Sequence, residues 1–175
     1  MPNLKEIKLL ALDVDGVLTD GKIVVNGDGT ESKFFNVQDG HGMRLWLRAG
    51  LQIALFSGRV STPTEIRAKQ FGIEYVFQDC LDKLPVLEKF LRQQGLSPQQ
   101  VAYVGDDLPD LPPMRFVGFS VAVADAVDEV KQYADFVTSR PGGSGAVREI
   151  IEYILKNTGR WRELMTRYLP AENNE

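Results

Sequence analysis

Short apolar runs recur along the chain, and each one stops abruptly at a polar residue. The first, Ile7 to Leu12, is nearly continuous and ends in aspartates, a pattern that predicts a strand buried on both faces. Gln52 to Phe56, Tyr75 to Phe77, Val101 to Val104, Phe119 to Val123 and Phe136 to Val137 repeat it. Between these runs the apolar spacing changes to threes and fours. Leu84, Leu87 and Leu91, and more fully Val147, Ile150, Ile151, Ile154 and Leu155, fall on single helix faces. Strands alternating with helices predict a three-layer α/β/α fold with a mostly parallel central sheet and right-handed crossovers.

One stretch breaks this rhythm. Between Thr19 and Val37, Asn26-Gly27-Asp28-Gly29 separates Lys22-Ile23-Val24-Val25 from Ser32-Lys33-Phe34-Phe35, which predicts a β-hairpin. The segment, about residues 20–37, is too short to be a domain. With Ile23, Val24, Phe34 and Phe35 exposed, it is expected to pack on another subunit or to form a flap over a site. A single domain over 1–158 is expected, followed by a polar tail over 159–175 whose terminus, Ala171 to Glu175, is expected to be mobile.

Composition narrows the class. At 175 residues and 43% hydrophobic content the chain can bury the core of one ordinary domain. A net charge of -4 provides no basic face for nucleic acid, yet it does not oppose a small anionic substrate where a metal and a few cations dominate locally. Cys80 is the only cysteine, so neither an intrachain disulfide nor a cysteine zinc cluster can form, and a reducing cytoplasm is expected. No apolar run reaches the roughly 18 to 20 residues needed to span a bilayer, and no export signal is visible, so no membrane association is expected.

In an open parallel sheet, functional groups collect where strands end at their carboxyl side. Four of the predicted strands deliver such groups. The first gives Asp13 and Asp15, the second Ser57-Gly58-Arg59, the third leads to Lys83, and the fourth gives Gly105-Asp106-Asp107 with Asp110 close behind. Carboxylates forced together repel one another, and a divalent cation is the usual remedy; an all-oxygen set suits magnesium, with Asp13, Asp15 and Asp106 as its candidate ligands. Asp13 can then attack phosphorus, while Asp15 protonates the leaving oxygen and later takes a proton from water. Ser57, Gly58, Arg59 and Lys83 are candidates to bind the substrate, with Ser57 and Lys83 facing the phosphoryl oxygens. Asp107 is read as a direct or water-mediated ligand, and Asp110 as the group that holds Lys83.

Asp13-Val14-Asp15-Gly16-Val17-Leu18-Thr19, Ser57-Gly58-Arg59, Lys83 and Gly105-Asp106-Asp107-Leu108-Pro109-Asp110 resemble the four motifs of haloacid dehalogenase superfamily phosphatases. From about Ile7 to Leu155 the chain is most similar to the members without a cap domain that form the 3-deoxy-D-manno-octulosonate 8-phosphate phosphatase family. Val37-Gln38-Asp39-Gly40-His41-Gly42-Met43, Tyr103 to Leu108, Val121 to Ala126 and Gly142 to Glu149 carry that narrower likeness. The resemblance implies a Rossmann-like fold, a magnesium-dependent phosphomonoesterase and a phosphoaspartate intermediate. It also implies a phosphorylated sugar-acid substrate of lipopolysaccharide synthesis, and a homotetramer whose hairpins meet in a central barrel, each subunit screening its neighbour's site.

Other readings stay open at this level. A different nonulosonate phosphate, such as a nine-carbon 9-phosphate, fits the same motifs. A non-enzymatic phosphoacceptor or regulatory subunit also clusters aspartates, a hydroxyl and a lysine around magnesium, but it has no use for a leaving-group partner such as Asp15. Arg59 suits either a substrate carboxylate or a structural ion pair. His41 reads as a cap or surface residue and is not assigned to catalysis. Gly142-Gly143-Ser144-Gly145 could offer amides to an anion, although it lacks the third glycine of a dinucleotide fingerprint. Trp161 and Tyr168 are read as packing residues.

Overall fold

The computed structural model describes residues 2–169. Among them, six parallel strands form the central sheet: β1 (Leu9–Asp13), β4 (Gln52–Phe56), β5 (Tyr75–Phe77), β6 (Val101–Gly105), β7 (Phe119–Ala122) and β8 (Phe136–Val137). Their order is β5-β4-β1-β6-β7-β8, so the chain winds outward from β1 on one side and then returns to wind outward on the other. The crevice at that reversal lies beside the carboxyl end of β1, where such sheets bind ligands. The α/β fold and parallel sheet expected from the pattern are present.

Helices α1 (Val37–Arg48), α2 (Thr62–Phe71) and α6 (Ala146–Asn157) pack together, and α7 (Arg160–Met165) packs on α6. A second group is formed by α3 (Lys83–Gln94), α4 (Leu111–Phe116) and α5 (Asp128–Tyr133). Covered on both faces, β1 has Leu9, Leu10, Ala11 and Leu12 fully buried, each large side chain contributing about 1.5–3 kcal/mol of burial. That burial explains the continuous apolar run, because no position of β1 looks to water. Trp46, on the inner face of α1, is also fully buried and satisfies its indole N–H on the Gln52 carbonyl at 2.8 Å.

Helix ends follow local chemistry. Asn36 caps α1 by accepting from the amides of Gln38 and Asp39 at 2.7 and 3.3 Å, while Gly72 and Gly95 close α2 and α3 in the left-handed conformation. Asp39, buried in the first turn of α1, accepts from the amides of Gly145 and Arg148 at 3.2 and 2.7 Å and so caps α6 from another helix. The anion site suggested by Gly142 to Gly145 is therefore filled by the protein's own carboxylate. Burial raises the Asp39 pKa, with these amides working in the opposite direction.

The hairpin is shorter than its pattern predicts. Strands β2 (Val24–Val25) and β3 (Glu31–Ser32) share two pairs, Val24 with Ser32 and Val25 with Glu31, closed by the Asn26 amide on the Thr30 carbonyl. Ile23, Val24 and Phe34 are exposed as expected, but Phe35 is not: it packs on the core, with the Arg67 guanidinium 5.8 Å from its ring. The tail forms α7, whose Trp161 packs on the core, and Tyr168 accepts from Arg48 at 2.8 Å. His41 contacts the same Tyr168 hydroxyl at 3.3 Å, away from the strand ends. The expected mobility of residues 171–175 lies outside the described residues.

Candidate active site

The carboxyl ends of β1, β4 and β6 and the start of α3 meet at one point. Lys83, the first residue of α3, reaches back to place its ammonium 2.5 Å from Asp13 Oδ1 and 2.6 Å from Asp110 Oδ1. All three side chains are buried. Asp106 joins them, since single oxygens of Asp13, Asp106 and Asp110 lie within 4.8 Å of one another.

Two glycines allow this crowding. Gly16 adopts φ +103°, and a Cβ there would stand 2.0 Å from Asp106 Oδ2; a Cβ on Gly105 would stand 2.4 Å from the Cβ of Asp110. The open side of Gly16 is thus occupied by the Asp106 carboxylate.

Burial raises the Asp13 pKa well above the ordinary carboxylate value, and Asp110 adds to the effect, while Lys83 opposes it. Asp106 is pushed up to about 7, again by burial first and then by Asp110. Burial works against the charge on Lys83, but Asp13 and Asp110 outweigh it and raise its pKa, so it stays an ammonium. A buried set with more carboxylates than cations calls for more positive charge, and its donors are all oxygen, which fits a hard divalent ion such as magnesium.

The four residues differ in what they can give such an ion. Asp110 already accepts four donors: Lys83 Nζ and the Tyr103 hydroxyl (2.9 Å) on Oδ1, and the amides of Asp106 (3.0 Å) and Asp107 (3.4 Å) on Oδ2. That saturation makes it an anchor for Lys83 and leaves Asp13 and Asp106 as the side chains free to ligate. Asp107 turns away to accept from the Leu108 amide at 2.7 Å. The Asp15 carboxylate also points elsewhere, pairing with Lys33 at 2.6 Å.

Ser57, at the end of β4, is buried, and its hydroxyl lies in its own turn, donating to the Arg59 carbonyl at 3.0 Å. Gly58 follows, and a Cβ there would meet the Cys80 carbonyl oxygen at 3.8 Å, an ordinary contact. Arg59 donates through Nη2 to Glu31 Oε2 at 2.6 Å, while its buried Nη1 has no partner among the described residues.

Sequence reasoning missed Tyr103, Lys33, Glu31 and Ser61. Tyr103 is hidden inside an apolar strand. Parity held a signal for the hairpin residues: with a period of two, Glu31, Lys33 and Phe35 share one face, and that face is the one turned inward.

Known proteins give the site a context. A family model described as haloacid dehalogenase-like hydrolase matches residues 53–151. A 3-deoxy-D-manno-octulosonate 8-phosphate phosphatase, KdsC, of Escherichia coli (strain B / BL21-DE3) is 44% identical over 163 residues, covering 93% of this chain and 87% of that protein. Among solved structures, a probable YrbI family phosphatase from Pseudomonas syringae pv. phaseolica matches with TM-score 0.94 and 46% identity, over 97% of this chain and 96% of that one. The 3-deoxy-D-manno-octulosonate 8-phosphate phosphatase of Moraxella catarrhalis, in complex with magnesium, phosphate and KDO, matches with TM-score 0.93 and 40% identity, over 95% of each chain.

Proposed function

Because the chain belongs to the haloacid dehalogenase-like hydrolase family, we propose that it is a phosphoric monoester hydrolase that releases phosphate from 3-deoxy-D-manno-octulosonate 8-phosphate. The observation that carries the chemistry is Lys83, buried between Asp13 and Asp110 with Asp106 alongside. The substrate is supported by the similarity to the Escherichia coli and Moraxella catarrhalis phosphatases, which act on that sugar phosphate.

Magnesium is the cofactor of this reading; the Asp13 and Asp106 carboxylates would hold it, with Asp15 as the third candidate ligand. When bound, it neutralises the carboxylates and draws negative charge from a phosphoryl oxygen. Lys83 holds Asp13 Oδ1, leaving Oδ2 to attack phosphorus in line with the departing oxygen and form a phosphoaspartate. Ser57 turns its hydroxyl from the Arg59 carbonyl to a phosphoryl oxygen, and Lys83 faces another, where charge spreads in the transition state. Asp15 delivers a proton to the departing sugar oxygen and then accepts one from the water that cleaves the phosphoaspartate. Arg59, whose side chain is 41% exposed, is the candidate for a substrate carboxylate.

The same proposal includes a homotetramer in the cytoplasm, serving lipopolysaccharide synthesis. Exposed Ile23, Val25 and Phe34 on the hairpin support the assembly, because an apolar surface of this kind favours a partner. Steady-state kinetics with magnesium on a panel of phosphosugars test the function. The eight-carbon sugar-acid phosphate should be preferred by at least about 100-fold in kcat/KM over hexose 6-phosphates, with activity lost in Asp13→Asn. Equal efficiency across the panel, or an active Asp13→Asn, overturns the reading.

A further inference from the structure

Lys33 occupies surroundings that its place in the chain does not suggest. It follows a two-residue strand of an exposed hairpin, yet none of its side chain is exposed. A lysine at such a position normally reaches water at little cost. Here the ammonium lies 2.6 Å from Asp15 Oδ1 and 3.6 Å from Glu31 Oε1. Glu31 in turn accepts from Arg59 Nη2 at 2.6 Å and from the Ser61 hydroxyl at 2.9 Å. A line of alternating charge therefore runs from the turn after β1, through the hairpin, to the loop after β4.

We propose that Lys33 is a positioning residue for Asp15: the seated hairpin fixes the proton-transfer carboxylate on the leaving-group side of the site. The proposal rests on the reading of Asp15 as the general acid. In the first half-reaction an Asp13 oxygen bonds to phosphorus, the bond from phosphorus to the sugar oxygen breaks, and the Asp15 proton passes to that oxygen. In the second, a water oxygen bonds to phosphorus, the Asp13 oxygen departs, and the water proton passes to Asp15. Between the two Asp15 is a carboxylate, and its pairing with Lys33 is the arrangement suited to that state. The attraction strengthens as the proton leaves, so it favours the transition state over the bound substrate. Without Lys33 the carboxylate keeps its chemistry but loses its fixed orientation.

Leaving-group dependence tests this. Nitrophenolate departs without a proton, whereas an alkoxide needs one, and kcat/KM reads the steps up to that departure. In Lys33→Met, kcat/KM for glycerol 3-phosphate should fall about 30-fold or more, and that for p-nitrophenyl phosphate by less than about 3-fold. Lys33→Arg should recover most of the alkyl activity. Asp15→Asn, assayed alongside, should show the same selective loss. If Asp15→Asn loses both substrates equally, the reading of Asp15 as acid fails. If Asp15→Asn is selective while Lys33→Met lowers both equally or neither, the Lys33 proposal alone is overturned. Lys33→Gln, which keeps a neutral donor on a side chain one atom shorter, carries the same two outcomes should the methionine variant fail to fold.

Discussion

In the parallel sheet the strands bury leucine, valine and alanine and release charge only at their carboxyl ends, whereas the hairpin buries Lys33 and leaves Val25 and Phe34 71% and 73% exposed. The sheet is held by apolar burial over both faces and would persist if its terminal charges were altered one at a time. The hairpin has two ladder pairs and little core of its own. It is held to the rest of the domain chiefly by polar groups, Lys33 to Asp15 and Glu31 to Arg59 and Ser61, together with Phe35. Isolated two-stranded hairpins are marginal in water, so the position of this one is set by the site it leans on. The difference separates a scaffold that fixes the chemistry from an arm that is fixed by it.

Lys83→Met makes the sharpest break on the scaffold side. It should lower kcat by about 10³-fold, since it removes the cation proposed to face both Asp13 and the phosphoryl group. It should also cost about 3 kcal/mol of stability at neutral pH, because Asp13 and Asp110 stay buried without their cation. Denaturant melts with activity assays check both; full activity would mean that the strand ends do not act as a unit.

On the hairpin side, Phe34→Glu should leave the domain folded and dissociate the proposed assembly, with about a 10-fold loss of kcat/KM on the sugar-acid phosphate. Solution scattering at micromolar concentration reads the mass. An unchanged oligomer, or a monomeric wild type, would break the distinction between arm and scaffold.

The smallest effect concerns Asp106. Its raised pKa of about 7 means that the metal-free folded chain binds a proton there that the unfolded chain has lost. This group's contribution therefore makes stability fall as pH rises from about 4 to 7 and then level off. Asp106→Asn should remove that slope and raise the metal-free melting temperature at pH 8 by about 3 °C, while adding little near pH 4. Magnesium should stabilise the wild type at pH 8 and not the variant. Identical pH slopes for the two proteins would count against a charge-crowded site.

The same contrast explains what the sequence made legible. Asp13, Ser57, Lys83 and Asp106 could be read because each follows an apolar run whose burial is dictated locally, and the sheet then brings them together by a general rule. Asp110 as the anchor of Lys83 was legible for the same reason. Lys33 and Glu31 were not, because their partners lie on other segments and their charge reads as ordinary hairpin surface. Tyr103 escaped for the opposite reason: its apolar company reads as core, and only the Asp110 carboxylate beside it shows that the hydroxyl has a use. Asp39 read as part of a family segment, while its contact with α6 spans over a hundred positions of sequence. Hairpin length was misjudged because turn chemistry fixes where the strands part, not how far they continue.

The glycine loop before α6 has a consequence for the chain as it is synthesised. A Cβ at Gly142 would lie 1.7 Å from the Gly16 carbonyl, the Gly143 amide donates to Val17, and Asp39 caps the helix that follows. The turn after β1, which carries Asp15, is thus backed by residues synthesised more than a hundred positions later. At ~5–20 residues per second, roughly ten seconds separate translation of Asp13 from that of this loop. A nascent chain truncated before residue 142 should carry every proposed catalytic side chain and still lack the seat that makes them an enzyme.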